Sequence, residues 1–565
     1  MKKYNALFVV AITVLVVTLL TWILPVTYLN GELMEAERAR IGLINFFNYP
    51  IYNFFNFIYI FLYLIFVGGL YGVLNKTGAY RLILDRVTNH IKGREVLTLI
   101  LTVLLLVLVI SFTGFTFEAL LILPFIASIV LLLGYDKLTA GMITIGSISV
   151  GIIGTTFSSV VAGTFNTILG TNYQDLIWVK VGLLVLCSAI LIVNVILHAR
   201  KIEKTKNVEE GFLIPEKVKD KDIKVWPLAT LLIAFIVVCI ISVIDWTDAF
   251  GINFFDNMHT AVMAFPVMSR FTILGVCLFV VLYNVLYSLI QRRKEHKKEE
   301  KKTLKKDEKK VVLKTKLMTT RRMIVTIVFG VIGLISLAKI LLEDVFGATN
   351  IISQALEAIK VSTFFEGFTW ERVIGSAQAF GNWTYNDFMG IILMVVVIIK
   401  FMYHISFSEI VSNYGNGIKN VLYGAIVAIL GYTVLIIISS HPIILTILKP
   451  ILELTDGLSI LWYPIATFVS ALCNTDFTYY KYGALTLEYA TTYFSSAEVY
   501  PLCELITQTM YGLALMVAPT SSVLLFGMCL LDIRYLEWLK KMWRPILEIV
   551  LVIFISFIIV LQFLI

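Results

Sequence analysis

The chain has 565 residues, of which 59% are apolar and only 15% charged, and its mean hydropathy is +0.89. A soluble fold cannot hide that much apolar surface, so lipid is the solvent. The formal charge of +8 does not point to nucleic acid, because half of the 46 Lys and Arg fall in two linkers, 200–224 and 292–322. The six cysteines (Cys187, Cys239, Cys277, Cys473, Cys503, Cys529) and six histidines stand singly, with no CxxC or Cys/His spacing for a disulfide framework or a metal.

Lys2 and Lys3 place the N-terminus on the cytoplasmic side, since basic residues mark the inner face. Asn5–Val26 reads as a first span, retained rather than cleaved, because its apolar stretch is too long for a signal and no small-residue site follows. Segment 30–40 then lies outside, and Leu43–Phe55 reads as an aromatic interfacial helix. Phe57–Leu74 returns inward to Arg81, Arg86, Lys92 and Arg94. A hairpin over about 97–133 starts and ends inside, a broken helix over 138–169 runs out, and Leu176–Leu197 returns to a basic loop, 199–225. Segment 226–345 holds inter-repeat spans (Trp226–Ile244, Phe271–Leu289, Met323–Leu342) around a Lys-rich cytoplasmic loop, 291–322, which is a solvated loop or a lipid- or regulator-binding patch. Segment 346–385 is extracytoplasmic.

Residues 386–565 repeat the order of 1–198 with every direction reversed. The spans are Phe388–Tyr403 and Val421–Ile438, the hairpin covers about 458–494, the broken helix 505–530, and the last span Ile546–Phe563. The fold class expected is an all-α polytopic membrane protein of two inverted-topology repeats, each with a re-entrant hairpin and a broken helix. Such broken segments at matching places in two halves are the best sequence pointer to a transporter's binding site.

Each hairpin ends in a polar tip, Ser111–Glu118 and Asn474–Lys481, and each broken helix is interrupted by small and hydroxyl residues, at 151–159 and 518–522. Non-helical backbone at membrane depth persists only inside protein or around a watery cavity. The competing reading is that Gly151, Gly154 and Pro519 are packing glycines and a kinking proline. The candidate binding residues are Thr113, Thr116, Glu118, Gly154, Thr155, Thr156, Ser158 and Ser159 in the first half. In the second they are Asn474, Asp476, Thr478, Lys481, Gln508, Pro519, Thr520 and Ser521. A charge at that depth costs roughly 2.5–3.5 kcal/mol on insertion scales and usually faces a cavity or a partner. Glu118 therefore reads as a group for a cationic moiety or a proton, or as a partner for a hydroxyl. Asp476 and Lys481 read as a structural ion pair or as contacts to a zwitterionic or carboxylate solute, and Glu488 as an outward surface carboxylate.

Several stretches resemble the YfcC family, also described as C4-dicarboxylate anaerobic carrier-like proteins of the ion-transporter superfamily. They are Thr21–Pro25, Phe66–Gly72, Lys76–Gly78, Glu118 to Asp136, Thr446–Leu448 with Asp456–Leu458, Gly483–Thr486, Gln508 and Pro519–Ser521. The resemblance covers nearly the whole chain outside 250–345. It implies two inverted repeats, a homodimer, and an elevator mode in which a transport domain slides against a scaffold. It also places Glu118 on a carboxylate of the family's hairpin. The chain departs from the family where Ser158 and Ser159 replace an Asn-Pro pair, where Thr478–Lys481 replaces a Ser/Gly-rich tip, and where Tyr511 and Leu515 replace an Asp and an Asn. Oxygen ligands of the kind that hold Na⁺ are thereby partly missing.

The expected function is secondary active transport of a small charged metabolite, an amino acid or a carboxylate, across a bacterial plasma membrane, by exchange or coupled to H⁺ rather than Na⁺. The expected partners are the solute, membrane lipid and a second copy of the chain, with no cofactor. No Walker A sequence is present, which argues against ATP-driven pumping. A channel for small solutes or ions, or an intramembrane lipid-modifying enzyme, are the alternatives. The first would want one continuous polar path, and the second clustered His, Asp or metal ligands at depth.

Overall fold

A computed structural model describes residues 5–24, 27–29, 32–34, 40–158, 160–202, 210–217, 223–242, 277–278, 280–288, 320–339, 363–365, 368–369, 383–441, 443, 447–448, 459–473 and 497–564. They divide into two units, 1–245 with 383–565, and 246–382. In chain order the first unit opens with α1 (Asn5–Ile23), a ribbon of β1 (Thr27–Leu29) paired antiparallel with β2 (Glu32–Met34), α2 (Leu43–Asn56), α3 (Ile58–Lys76), α4 (Ala79–Ile91) and α5 (Glu95–Thr113). A short turn of 3₁₀ helix, Glu118–Leu121, leads to α6 (Leu123–Leu132), followed by α7 (Lys137–Ile153), α8 (Ala162–Leu169), α9 (Ile177–Lys201) and α10 (Trp226–Ile241).

The second unit contributes α11 (Thr320–Lys339) and a ribbon of β3 (Thr363–Phe365) with β4 (Phe368–Thr369). The first unit resumes with α12 (Tyr385–Tyr403), α13 (Phe407–Gly431), α14 (Thr433–Ser440), α15 (Trp462–Cys473), α16 (Tyr500–Val517), α17 (Ser522–Leu531) and α18 (Tyr535–Leu564). The described residues are thus helical apart from two short ribbons, and among them 8 helical stretches are long and apolar enough to cross a membrane.

Lipid-facing and interior helices differ sharply. Leu97, Leu101, Leu105 and Leu108 form an exposed row along α5, and Leu547, Leu551, Ile555 and Ile558 form another along α18. Rows of this kind would drive aggregation in water and are ordinary against acyl chains. By contrast, every residue of α7 from Leu138 to Ile153 is buried, as is every residue of α16 from Leu502 to Met516. The two broken helices therefore occupy the centre of the first unit, with α5, α9, α15, α17 and α18 around them.

On the other side of this unit, α3 and α13 make its most extensive helix pair. Glycines let the backbones meet there. A Cβ on Gly417 would lie 2.8 Å from the Gly72 Cα and closer still to the Gly68 carbonyl oxygen. The apolar run starting at Val421 predicts a shorter helix than the one observed. A capping box at Ser406 and Glu409 begins α13 a full fourteen positions earlier, and its polar first half packs on α3.

A helix, α2, forms over the stretch expected to be interfacial. Leu43, Ile44, Phe47, Ile51 and Phe55 are exposed, while Asn53 is fully buried. The Asn53 side-chain amide donates to the Ile429 carbonyl at 2.5 Å, where α13 gives way to α14. The start of α2 is tied to the end of α1, since the Trp22 indole donates to the Ile41 carbonyl at 2.9 Å.

Candidate functional site: the two helix breaks

The first break runs from Gly154 to Val161, between α7 and α8. A helix that stops inside the protein leaves carbonyls and amides that need partners, and the end of α5 supplies many of them. Ser111 Oγ donates to the Gly154 carbonyl at 2.6 Å and lies 3.1 Å from Thr156 Oγ1. The Thr156 amide donates to the Ser111 carbonyl at 3.0 Å. Ser158 Oγ donates to the Thr113 carbonyl at 3.0 Å and accepts from the Val161 amide at 3.1 Å, which starts α8. Gly114 allows this approach. Its φ of +69° ends α5 in the left-handed region, and a Cβ there would strike Ser158 Oγ.

Gln508, on α16, reaches the same break. Its Nε2 donates to the Ile153 carbonyl at 3.0 Å and to the Thr155 carbonyl at 3.1 Å. One side chain of the second half thus holds two carbonyls freed in the first.

The second break, Ala518–Ser521, is satisfied in the same manner by different residues. The last carbonyls of α16 are taken by side chains: Leu515 by Ser521 Oγ at 2.9 Å, Met516 by the Trp538 indole at 2.9 Å, and Val517 by the Tyr535 hydroxyl at 2.5 Å. Ser521 Oγ also accepts from the Leu524 amide at 3.3 Å and caps α17. Thr520 Oγ1 donates to the Leu472 carbonyl at 2.6 Å, at the end of α15. Each break is therefore bonded to the end of a helix that the sequence reads as the first arm of a hairpin.

The predicted residues that are described fall into three groups. Thr113, Gly154, Thr155, Thr156, Ser158 and Gln508 gather at the first break, and Pro519, Thr520 and Ser521 form the second. Thr155 Oγ1 donates to the Gly151 carbonyl at 3.3 Å and Thr113 Oγ1 to Val109 at 2.7 Å. Among the described residues, the hydroxyls of both breaks are buried and bonded to backbone. Thr116 and Glu118 stand apart at the first tip. The Thr116 amide donates to Glu118 Oε2 at 3.1 Å, and Tyr63 donates to the Glu118 carbonyl at 3.1 Å. Glu118 borders an apolar cleft lined by Tyr63, Phe115, Ile236, Cys239 and Phe388. Ser159, Asn474, Asp476, Thr478 and Lys481, with Glu488, lie outside the described residues.

Sequence reasoning missed the most deeply buried charges beside this site. Lys180 Nζ on α9 lies 2.6 Å from Glu504 Oε1 on α16, with side chains 1% and 0% exposed. The signal was available, since each is an ionisable residue within or at the edge of an apolar run. Removing either partner would leave a bare buried charge, costing roughly 3–5 kcal/mol.

At the opposite end of α7 and α9 lies a second polar cluster, buried at His198 and half-buried at Asp136. Asp136 caps α7, accepting from the Thr139 amide at 2.8 Å, and its other oxygen lies 3.2 Å from His198 Nε2. Burial alone would raise the Asp136 carboxyl, but the bonds from His198 and Thr139 outweigh it and hold it below its ordinary value of 3.8. Nearby, Asn194 Nδ2 donates to Glu548 Oε2 at 2.8 Å, joining α9 to α18.

Fully buried broken helices ringed by apolar spans support a multi-pass membrane transporter. The profile of the DcuC family, described as C4-dicarboxylate anaerobic carrier, matches residues 5–274 and points to a carrier rather than an enzyme. That stretch contains the first tip, the first break and Lys180, and ends before Gln508 and Glu504. Neither the curated proteins nor the solved structures contain a match to the chain.

Proposed function

We propose that the protein is a secondary transporter of C4-dicarboxylates in a bacterial plasma membrane, of the YfcC-like kind, and that the two breaks form its solute site. The observation that carries this reading is Gln508 bridging α16 to the carbonyls of the α7 break inside a wholly buried pair of helices. Interrupted helices at the core of a membrane protein place half-helix N-termini, here those of α8 and α17, where a carboxylate can meet their positive ends. Two such termini suit a solute with two carboxylates.

The bonding of each break to its own neighbouring helix end, Ser111 and Thr113 in one half and Leu472 in the other, supports an inverted repeat. In that scheme the central helices move as one body against the α3–α13 pair, in a homodimer with cytoplasmic N-termini, by exchange or with H⁺. Lys481 reads a solute carboxylate, and Glu118 guards the first tip.

The test is counterflow in proteoliposomes loaded with unlabelled succinate, following external radiolabelled succinate. Saturable accumulation competed by fumarate and malate, and not by arginine or glutamine, is expected. Accumulation of an amino acid with none of succinate would overturn the dicarboxylate reading.

A further inference from the structure

The Lys180–Glu504 pair has a geometry that structural bonding alone does not explain. Glu504 uses one oxygen for Lys180, while Oε2 is enclosed and makes no hydrogen bond of good geometry, the Thr171 hydroxyl being a donor close to the carboxylate. Native interiors rarely leave a carboxylate oxygen in that state, because each orphaned acceptor costs free energy. Four positions further along α16, roughly 6 Å by helical rise, Gln508 grips the first break, and its Oε1 is likewise buried without a partner. A buried ion pair with a vacant acceptor therefore stands one turn from the proposed solute site.

From this we infer that Glu504 is the proton-binding group of the transport cycle and that Lys180 is the fixed cation it releases. The inference rests on the transporter reading above and deepens it. In the step itself one H⁺ from water adds to Glu504 Oε2. No covalent bond breaks, the carboxylate becomes a neutral acid that can donate, and Lys180 remains an ammonium. The pair passes from net zero to net +1.

An unpaired charge in a dry interior is unfavourable, and an anionic solute at the neighbouring break offsets it. Proton and anion then each favour the other's binding by the same factor, as linkage requires. Protonation also weakens the ionic tie between α9 and α16.

The other groups around Glu504 leave the assignment with this pair. The loop before α9 brings Asp175 and the Thr171 hydroxyl toward it. On α15, Tyr463 lies 3.4 Å from Thr507, which is one turn from Glu504 on α16. Tyr500 and Cys503 lie on α16 itself, Glu498 in the preceding turn is exposed, and α7 and α8 carry no ionisable residue toward this end. Tyr535, on α18, is engaged with Val517 at the far end of α16. Among the described residues Asp175 is the further carboxylate that acts on Glu504, and it is already held by the Asn172 amide at 2.8 Å.

Wild type, Glu504→Gln and the double variant Lys180→Gln/Glu504→Gln separate the outcomes. The first measurement is infrared difference spectroscopy of the purified protein on acidification, which needs no solute. Other carboxyls, Asp136 among them, also protonate in acid, so the readout is the wild-type-minus-variant difference, which should contain a protonated-carboxyl stretch that both variants lack. The second compares radiolabelled succinate uptake with and without an inward proton gradient. Wild type should be stimulated about tenfold, a typical coupling magnitude, and the variants' ratio should fall to near one. If Glu504→Gln fails to fold, the double variant decides, since it leaves no bare charge. A wild-type-minus-variant difference with no carboxyl band, or gradient stimulation that the variants retain, overturns the proton site. Absence of succinate transport in wild type instead overturns the dicarboxylate reading, and the infrared result still decides Glu504.

Discussion

Gln508 holds the Ile153 and Thr155 carbonyls with one amide group, and its loss strands both acceptors in a dry interior. Each stranded carbonyl costs about 1–3 kcal/mol, so Gln508→Leu should lower the stability of detergent-solubilised protein by an amount in that range or above it. A chemical-unfolding midpoint equal to wild type would show that water takes over both bonds. Asp136 makes a pH-dependent contribution of known sign. Its folded carboxyl lies below the ordinary 3.8, so the stabilisation is complete above the unfolded value and is lost as pH falls through the folded one. The difference in melting temperature between wild type and Asp136→Asn should be constant near neutrality and close in acid below pH 3.8. A gap that persists there would mean that the cap acts by shape alone. Residues at the breaks were legible as an interruption of apolar sequence by Gly, Thr, Ser and Pro. Their partners were not, because nothing local links Gln508 to Ile153, or Lys180 to Glu504 across 324 positions. Nor does any local pattern tell that the hydroxyls of Thr155, Ser158 and Ser521 bond to backbone, which only the fold decides.

Helices proved easier to read than their ends. The breaks at 151–159 and 518–522 fall where the chain does interrupt α7/α8 and α16/α17, because Gly154 and Pro519 remove helical support on the spot. The first half of α13 was hidden by its polarity. Asn413, Asn416, Lys419 and Asn420 look like loop, yet glycine packing against α3 carries them as helix. That contact can be challenged directly. Gly417→Val inserts branched carbon against the Gly72 Cα and the Gly68 carbonyl and should destabilise by about 1–3 kcal/mol or more. Gly415→Ala on the same helix meets nothing within 4 Å and should be neutral or slightly stabilising. Equal effects from the two would show that the α3–α13 approach is looser than described.

For the whole molecule, the way the first unit closes on itself matters most. The Trp383 amide donates to the Ser242 carbonyl at 3.5 Å, so the two chain ends that flank the second unit are neighbours, and α10 packs beside α12. Replacing 246–382 by a short Gly/Ser linker should therefore leave a folded protein that melts within a few degrees of wild type, a shift of about 1 kcal/mol or less. Loss of the cooperative transition would show that the first unit depends on the segment removed. Hydropathy and the charges of loops 200–224 and 292–322 suffice to expect spans and an order for them. They say nothing of which spans touch, so the central position of α7 and α16 emerges only from burial. The seal on the second break also imposes a sequence of events. Tyr535 and Trp538 are synthesised after the Val517 and Met516 carbonyls that they cover. A ribosome threading this chain toward the bilayer has already passed the gap when its two aromatic stoppers emerge, so this part of the core is finished from behind, by a helix made after it.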